Sequence, residues 1–187
     1  MATVFFGTPG LKLNLGCGSN KIDGYVNVDL FGEPDVRHDL ESFPWPWPDS
    51  SVQDIHMSHV LEHLGAAPNT FIGIMKELYR VSRNGCKIRI MVPHPRHDHY
   101  LGDPTHVRPI TPQMLMLFDR EQCKAWQAHG YSNTPLALFH DVDFKMIECQ
   151  YVMEQKYSNL SQQEAELAIA ERNNVCSEIR MVFEVRK

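Results

Sequence analysis

Two glycines one residue apart, Gly16 and Gly18, close the alternating run Leu11-Lys12-Leu13-Asn14-Leu15. Glycine at such a place lets the chain turn tightly and lets a ligand approach the backbone, and the amides of the loop favour an anionic group. A tight turn with no ligand would use the same residues, so the surrounding positions must decide. The position three after Gly18 is Lys21, so the third glycine of a dinucleotide fingerprint is missing. No G-K-[ST] is present, which removes a phosphate-binding P-loop. Eleven residues after Gly18, Asp29 ends a second apolar run, where a carboxylate can accept from both hydroxyls of a ribose. Asp39-Leu40 closes a third run. An acid there can accept from an adenine amino group with Leu40 against the ring, and it can equally serve as a turn cap. Ser58 and His59 follow a fourth run; after them Val60 and Leu61 read as core, and Glu62 and His63 as solvated residues at a helix start.

The second chemical concentration is Pro93-His94-Pro95-Arg96-His97-Asp98-His99-Tyr100, followed by Asp103-Pro104-Thr105-His106-Val107-Arg108. An imidazole with a pKa near ~6.5 can take a proton from a hydroxyl, amine or thiol. On that reading His94, next to a strand end, and His106 are the candidate catalytic bases. A second reading gives His97, Asp98, His99 and His106 to a metal ion. A third makes the histidines ordinary polar loop residues, with Asp103 to Thr105 a turn device and Arg108 paired to a carboxylate. The first reading expects no metal.

The elements that must position these groups alternate. Strands are expected over Leu11–Leu15, Tyr25–Asp29, Asp35–Asp39, Val52–Ser58, Cys86–Val92, Phe144–Met153 and Cys176–Val185. The spacing of Phe71, Ile74, Met75, Leu78 and Tyr79 predicts a helix from Phe71 to Val81, capped at Asn69-Thr70 and stopped by Asn84-Gly85. A second helix is expected over Gln113–Trp126, and Ser161-Gln162-Gln163-Glu164 reads as a capping box opening a third, to about Arg172. Trp45 and Trp47 stand in a loop with three prolines and are expected to pack across the sheet edge. Strands alternating with helices, then a late antiparallel pair, predict an α/β three-layer sheet with ligand sites at the strands' carboxyl ends.

The 187 residues suit one domain, 1–187, with a small substrate cap at about 93–140. Net charge is −5, so no global basic field holds nucleic acid. Five dispersed cysteines without a C-x-x-C pair suggest neither a disulfide framework nor a cysteine zinc site. With no export pattern in Met1 to Gly10 and no apolar run near ~18 residues, a cytoplasmic protein without a membrane partner is expected.

The segments L-x-L-G-C-G, V-x-V-D, D-L, H-V-L-E-H and D-P-T-H-V-R-P stand in order from Lys12 to Thr111, and there the chain resembles the class I S-adenosylmethionine-dependent methyltransferases. The resemblance implies a Rossmann-like sheet, mostly parallel with an antiparallel strand near the C-terminus, and S-adenosyl-L-methionine as cofactor. It implies that Gly16 and Gly18 face the methionine part, with Leu15 and Cys17 of the same turn among the cofactor-binding residues. Asp29 would hold the ribose, Asp39 and Leu40 would lie at the adenine, and Ser58 and His59 would line the pocket. Ser19 to Gly24 is too short for the family's long helix after the glycine loop, so that edge of the site is abbreviated. The expected activity is methyl transfer to O, N or S of a small molecule. An inactive cofactor-binding partner subunit and a Rossmann-like oxidoreductase are the alternatives. A homodimer through the cap or the Glu154 to Asn174 segment is the expected assembly, if any.

Overall fold

A computed structural model describes residues 10–187. The expectation about export signals falls on residues 1–9, outside the described residues. One seven-stranded sheet organises the chain in the order β3-β2-β1-β4-β5-β7-β6. Its strands are β1 (Leu11–Leu15), β2 (Val26–Asp29), β3 (Val36–Arg37), β4 (Val52–Ser58), β5 (Ser82–Pro93), β6 (Phe144–Met153) and β7 (Cys176–Val185). The first five run parallel, and β7 lies antiparallel to both β5 and β6. This is the expected Rossmann-like sheet with its late antiparallel strand. No helix of the described residues is long and apolar enough to cross a membrane.

The register explains where the core lies. Leu13 pairs with Ile55, Ile55 with Ile88 and Ile88 with Phe183, so one row of apolar side chains crosses four strands on a single face. Helix α1 (Pro68–Val81) buries Phe71, Ile74, Met75, Leu78 and Val81 within that core, and each full burial of this kind contributes about 1.5–3 kcal/mol. Leu115 and Phe118, from the segment between β5 and β6, fill the same face beside Met75, Leu78, Phe144 and Phe183. Trp45 and Trp47 are buried there too, edge to face with centroids 6.1 Å apart, as expected of residues closing the sheet edge.

The opposite face is different. The rows Lys12–Asp54 and Asn14–His56 carry polar side chains, and Asp54 is paired with Arg89 and accepts from the Tyr25 hydroxyl. No helix lies between β1 and β2, β2 and β3, or β3 and β4. The first two of these connections cross this face, whereas the β3–β4 connection crosses the α1 face with Trp45 and Trp47, so the expected third layer is reduced to loops. A polar network substitutes for it. Asn14 Nδ2 donates to Asn20 O and to Asn27 Oδ1, and Asn27 Oδ1 also accepts from Ile22 N. Asn27 Nδ2 donates to Asp35 Oδ2 (2.7 Å), tying the glycine loop's return to the β2–β3 link.

Three local expectations need correction. Helix α1 starts at Pro68, with Pro at its first turn and no side-chain cap from Asn69 or Thr70. It ends at Val81 because Ser82 is already extended, so Asn84-Gly85 falls inside β5, where Gly85 at φ +75° accommodates the register shift against β4. The expected helix over Gln113–Trp126 is broken. The short α2 (Asp98–Leu101) precedes it, α3 (Pro112–Leu115) runs into a 3-10 turn, and α4 (Arg120–Ala128) starts afresh. Asp119 makes the break: it is extended and its carboxylate accepts from the amides of Glu121 and Gln122. Helix α5 (Leu136–His140) follows, and α6 (Gln162–Glu171) opens on the expected Ser161–Glu164 capping box.

Glu77 on α1 locks the tryptophan loop. It is buried, accepts from Trp45 N at 2.6 Å and pairs with Arg80 at 2.7 Å. Burial pushes its pKa up, but the hydrogen bonds from Arg80 and Trp45 outweigh that and hold it below the ordinary carboxylate value. A depressed folded pKa gives stability that is present above the unfolded value, ~4.4, and is lost as pH falls through the folded one. Glu77→Gln is therefore expected to cost about 2–3 kcal/mol at neutral pH and to shrink that difference on acidification. Urea unfolding of both proteins at pH 7 and pH 3.5 reads it.

Candidate ligand cleft at the strand ends

The glycine loop leaves β1 by folding back on β2: the amides of Gly16 and Cys17 both donate to Val28 O. Gly16 has φ +66° and Gly18 φ +50°. A Cβ on Gly16 would lie 2.2 Å from Val60 Cγ2, whereas one on Gly18 would meet nothing within 4 Å. The first glycine is thus needed by the protein's own packing, and the second faces open space.

That space is a cleft of about 680 Å³ running from Asp29, Phe31 and His38 past Asp39, Leu40 and Glu41 to Val60, His63 and Thr105. Asp29 Oδ2 accepts from Gly18 N (2.8 Å) and Oδ1 from Phe31 N (2.9 Å), so the carboxylate is fixed by the two loops it joins. Each oxygen retains a lone pair for a further donor. Asp39 accepts from Glu41 N and Ser42 Oγ. It is a turn cap and a cleft residue at once, so its two sequence readings are compatible. Leu40 is buried in the cleft wall. Gly16 and Gly18 line the cleft from below.

On the polar side of the glycine loop a second hollow of about 550 Å³ is lined by Asn14, Cys17, Lys21, His56, Ser58 and His59. Its presence follows from the missing helix after the loop. Cys17 is buried, and burial with the nearby Asp29 charge pushes its thiol pKa up, which disfavours the thiolate. His59 borders both hollows and has φ +52°, a strained conformation for a residue other than glycine. Its Nε2 lies 2.7 Å from Glu178 and its Nδ1 3.6 Å from Glu62. Those carboxylates, Glu62 first, hold its pKa above the ordinary value against the effect of burial.

The remaining site residues separate. His94 is buried, its Nδ1 accepts from Arg96 N, its ring packs near Tyr151, and it lines neither hollow. Burial lowers its pKa. His106 does not line the cleft but lies just behind its end, stacked on Tyr100 at 5.1 Å and 4.6 Å from the ring of His63. It arrives there because the amides of Val107 and Arg108 donate to Glu62 O, which pins the second histidine segment onto the 3-10 turn Leu61–His63. His97 is tied to Glu154 and to the amide of His99, and the Asp98 carboxylate accepts from Asn174 Nδ2. These three do not converge with His106. Glu62 is not the solvated residue expected: it is 1% exposed.

Phe31, His38, His63 and Thr105 line the cleft although the sequence predicted no ligand role for them. Phe31 presents a ring that is 72% exposed, two residues after Asp29, and His38 Nε2 is buried without a partner among the described residues. Thr105 and His63 close the far end, joined by a 3.0 Å hydrogen bond. An exposed aromatic directly after a ribose-type acid was a usable signal; for His38 and Thr105 the sequence offers none.

No protein-family model matches the chain, and no curated protein matches it in sequence. Solved structures do. A SAM-dependent methyltransferase from Archaeoglobus fulgidus superposes with a TM-score of 0.59 at 17% identity, over 94% of this chain and 86% of that one. The 1,6-didemethyltoxoflavin-N1-methyltransferase of Burkholderia thailandensis, solved with bound 1,6-didemethyltoxoflavin and S-adenosylhomocysteine, gives 0.53 at 13% identity over 96% and 72%. The [4+2]-cyclase SpnF gives 0.52 at 16% identity over 99% and 78%. Strand order, the antiparallel β7 and these likenesses agree: the chain has the fold of the class I S-adenosylmethionine-dependent methyltransferases.

Proposed function

We propose that this protein binds S-adenosyl-L-methionine in the 680 Å³ cleft and transfers its methyl group to a nucleophilic O, N or S atom of a small molecule. The observation that carries this reading is Asp29, fixed by Gly18 N and Phe31 N with lone pairs to spare at the edge of a cleft that also contains Asp39 and Leu40. Ribose hydroxyls donate to Asp29. The adenine lies between Phe31 and Leu40, its amino group toward Asp39, and the methionine part crosses Gly16 and Gly18 toward Ser58 and His59. The methyl group is thereby presented to the end of the cleft formed by His63 and Thr105, with His106 behind them, and the acceptor loses its proton there. His94 stands apart from that step. The segment 93–140 acts as a cap on the acceptor, and catalysis comes mainly from proximity, in-line orientation and exclusion of water.

Methyl transfer itself is one displacement: the acceptor lone pair forms a bond to the methyl carbon as the carbon–sulfur bond breaks and its pair returns to sulfur. Calorimetry on the full chain distinguishes this from a nicotinamide enzyme. S-adenosylhomocysteine is expected to bind with one site per chain and NADH not at all. NADH binding without S-adenosylhomocysteine binding would refute the proposal.

A further inference from the structure

Three acceptor groups converge behind the end of the cleft, which His63 lines. Glu62, His63 and His106 place one ligand atom each within 4.8 Å of the others, and no other trio of His, Cys, Asp or Glu does so among the described residues. Glu62 is 1% exposed, and neither of its carboxylate oxygens has a hydrogen-bond partner among the described residues. Its nearest cationic group is His59 Nδ1 at 3.6 Å, beyond hydrogen-bond reach, and a buried carboxylate without a hydrogen bond is costly enough that it normally acquires a closer cation or a proton.

The two imidazoles are set to supply lone pairs. His106 Nδ1 lies 2.7 Å from Tyr100 O, and a carbonyl can only accept, so Nδ1 carries the proton and Nε2 a lone pair. Thr105 Oγ1 sits 2.6 Å from Asp103 Oδ1, to which it donates, and is then the acceptor for His63 Nδ1–H at 3.0 Å. His63 is left with its Nε2 lone pair as well. Carbonyl and carboxylate-linked partners on the far ring nitrogen are the usual support for a ligating histidine. A proton shared among the three would answer the charge of Glu62, but not both lone pairs.

We propose that Glu62, His63 and His106 bind a divalent transition-metal ion. Two imidazole nitrogens and one carboxylate suit Mn²⁺, Fe²⁺, Co²⁺ or Zn²⁺ rather than Mg²⁺, which prefers oxygen alone. His63 and Thr105 line the cleft, so the ion's remaining positions open toward it. On the functional reading above, on which this role alone depends, the ion takes the acceptor's hydroxyl oxygen. Coordination makes that hydroxyl acidic, its proton leaves to water, and the oxygen lone pair forms the bond to the methyl carbon as the carbon–sulfur pair returns to sulfur. The acceptor class is then a hydroxylated molecule.

The test titrates Co²⁺ into full-length protein freed of metal by a chelator and then dialysed, read by the visible bands of the ion and by calorimetry. One equivalent is expected to bind and to raise Tm. Glu62→Gln and His106→Gln are each expected to weaken binding by more than ~10-fold. His99→Gln, in the exposed histidine segment, is expected to leave it unchanged. Metal-free Glu62→Gln should unfold at the same Tm as the parent or above it, because a buried carboxylate that makes no hydrogen bond has been removed; that measurement keeps the variant interpretable. Absence of Co²⁺, Mn²⁺ and Zn²⁺ binding up to millimolar metal overturns the proposal. So does binding that survives Glu62→Gln and vanishes with His99→Gln. Calorimetry with S-adenosylhomocysteine on the metal-free protein stands apart: nucleoside binding without metal binding defeats this inference and spares the functional reading, and the converse does the reverse.

Discussion

Asp29→Ala is expected to weaken S-adenosylhomocysteine binding by about 10²–10³-fold while Tm falls by only a few degrees. The magnitude comes from the hydrogen bonds at stake: a charged acceptor contributes about 1.5–2 kcal/mol per bond at the lower end of its range, as suits an exposed carboxylate, and two ribose hydroxyls reach it. The small change in stability has a different origin. Asp29 caps two exposed backbone amides, Gly18 N and Phe31 N, which water can satisfy once the carboxylate is gone. Asp29→Asn separates the two roles, since the amide oxygen still accepts but carries no charge; it should bind about tenfold more tightly than the alanine variant. Calorimetry on all three proteins, with thermal unfolding beside it, measures both effects. Unchanged affinity in Asp29→Ala would place the nucleoside somewhere other than this cleft and end the proposed function. Asp39→Ala offers a useful contrast, because Asp39 already serves Glu41 N and Ser42 Oγ, and its loss should reach affinity partly through the turn it holds.

What the sequence disclosed follows from how local each signal is. The bounds of β4, β6 and β7 match the sequence reading to the residue; in β7 a period of two with one buried face leaves no other register, whereas β6 is largely exposed. Asp29 and the glycine loop were readable because a short strand, a turn and an acid at the next strand end lie within twenty residues of one another. Glu62 was not. Set between buried Leu61 and half-buried His63, it looked like the polar start of a helix, and its burial is imposed by Tyr100 to Arg108 folding back about forty residues later. No pattern within a helical turn of Glu62 records that. The break at Asp119 was hidden for a related reason: Met114, Leu115, Leu117 and Phe118 have helical spacing, and the carboxylate that caps α4 competes with continuation of the helix only in three dimensions. The bare polar face was half legible. The short Ser19 to Gly24 link excluded a helix, but that Asn14, Asn27 and Asp35 would join in its place depended on strand register.

The two loop glycines should fail in opposite ways when replaced. Gly16 and Gly18 both have positive φ, so alanine at either costs about 1–2 kcal/mol of backbone strain. Only at Gly16 does the added methyl also collide, 2.2 Å from Val60 Cγ2 and 2.5 Å from Val60 Cβ. Rotation about χ1 could move Cγ2 but not Cβ, which the backbone fixes, and overpacking of this kind adds about 1–3 kcal/mol. Gly16→Ala is therefore expected to lose about 2–5 kcal/mol of stability and, because Val60 lines the cleft, to lose ligand binding with it. Gly18→Ala meets nothing within 4 Å. It should cost only the strain, yet its methyl would project into the space assigned to the ligand, so affinity should fall well beyond what stability does. Urea unfolding ranks the first effect and calorimetry the second. Equal losses of stability in the two variants would mean that Gly16 is chosen for its dihedral alone, and that the close approach of Val60 does not shape the cleft floor. The ordering expected here, Gly16 for the fold and Gly18 for the ligand, divides a two-glycine motif by what each missing side chain would touch.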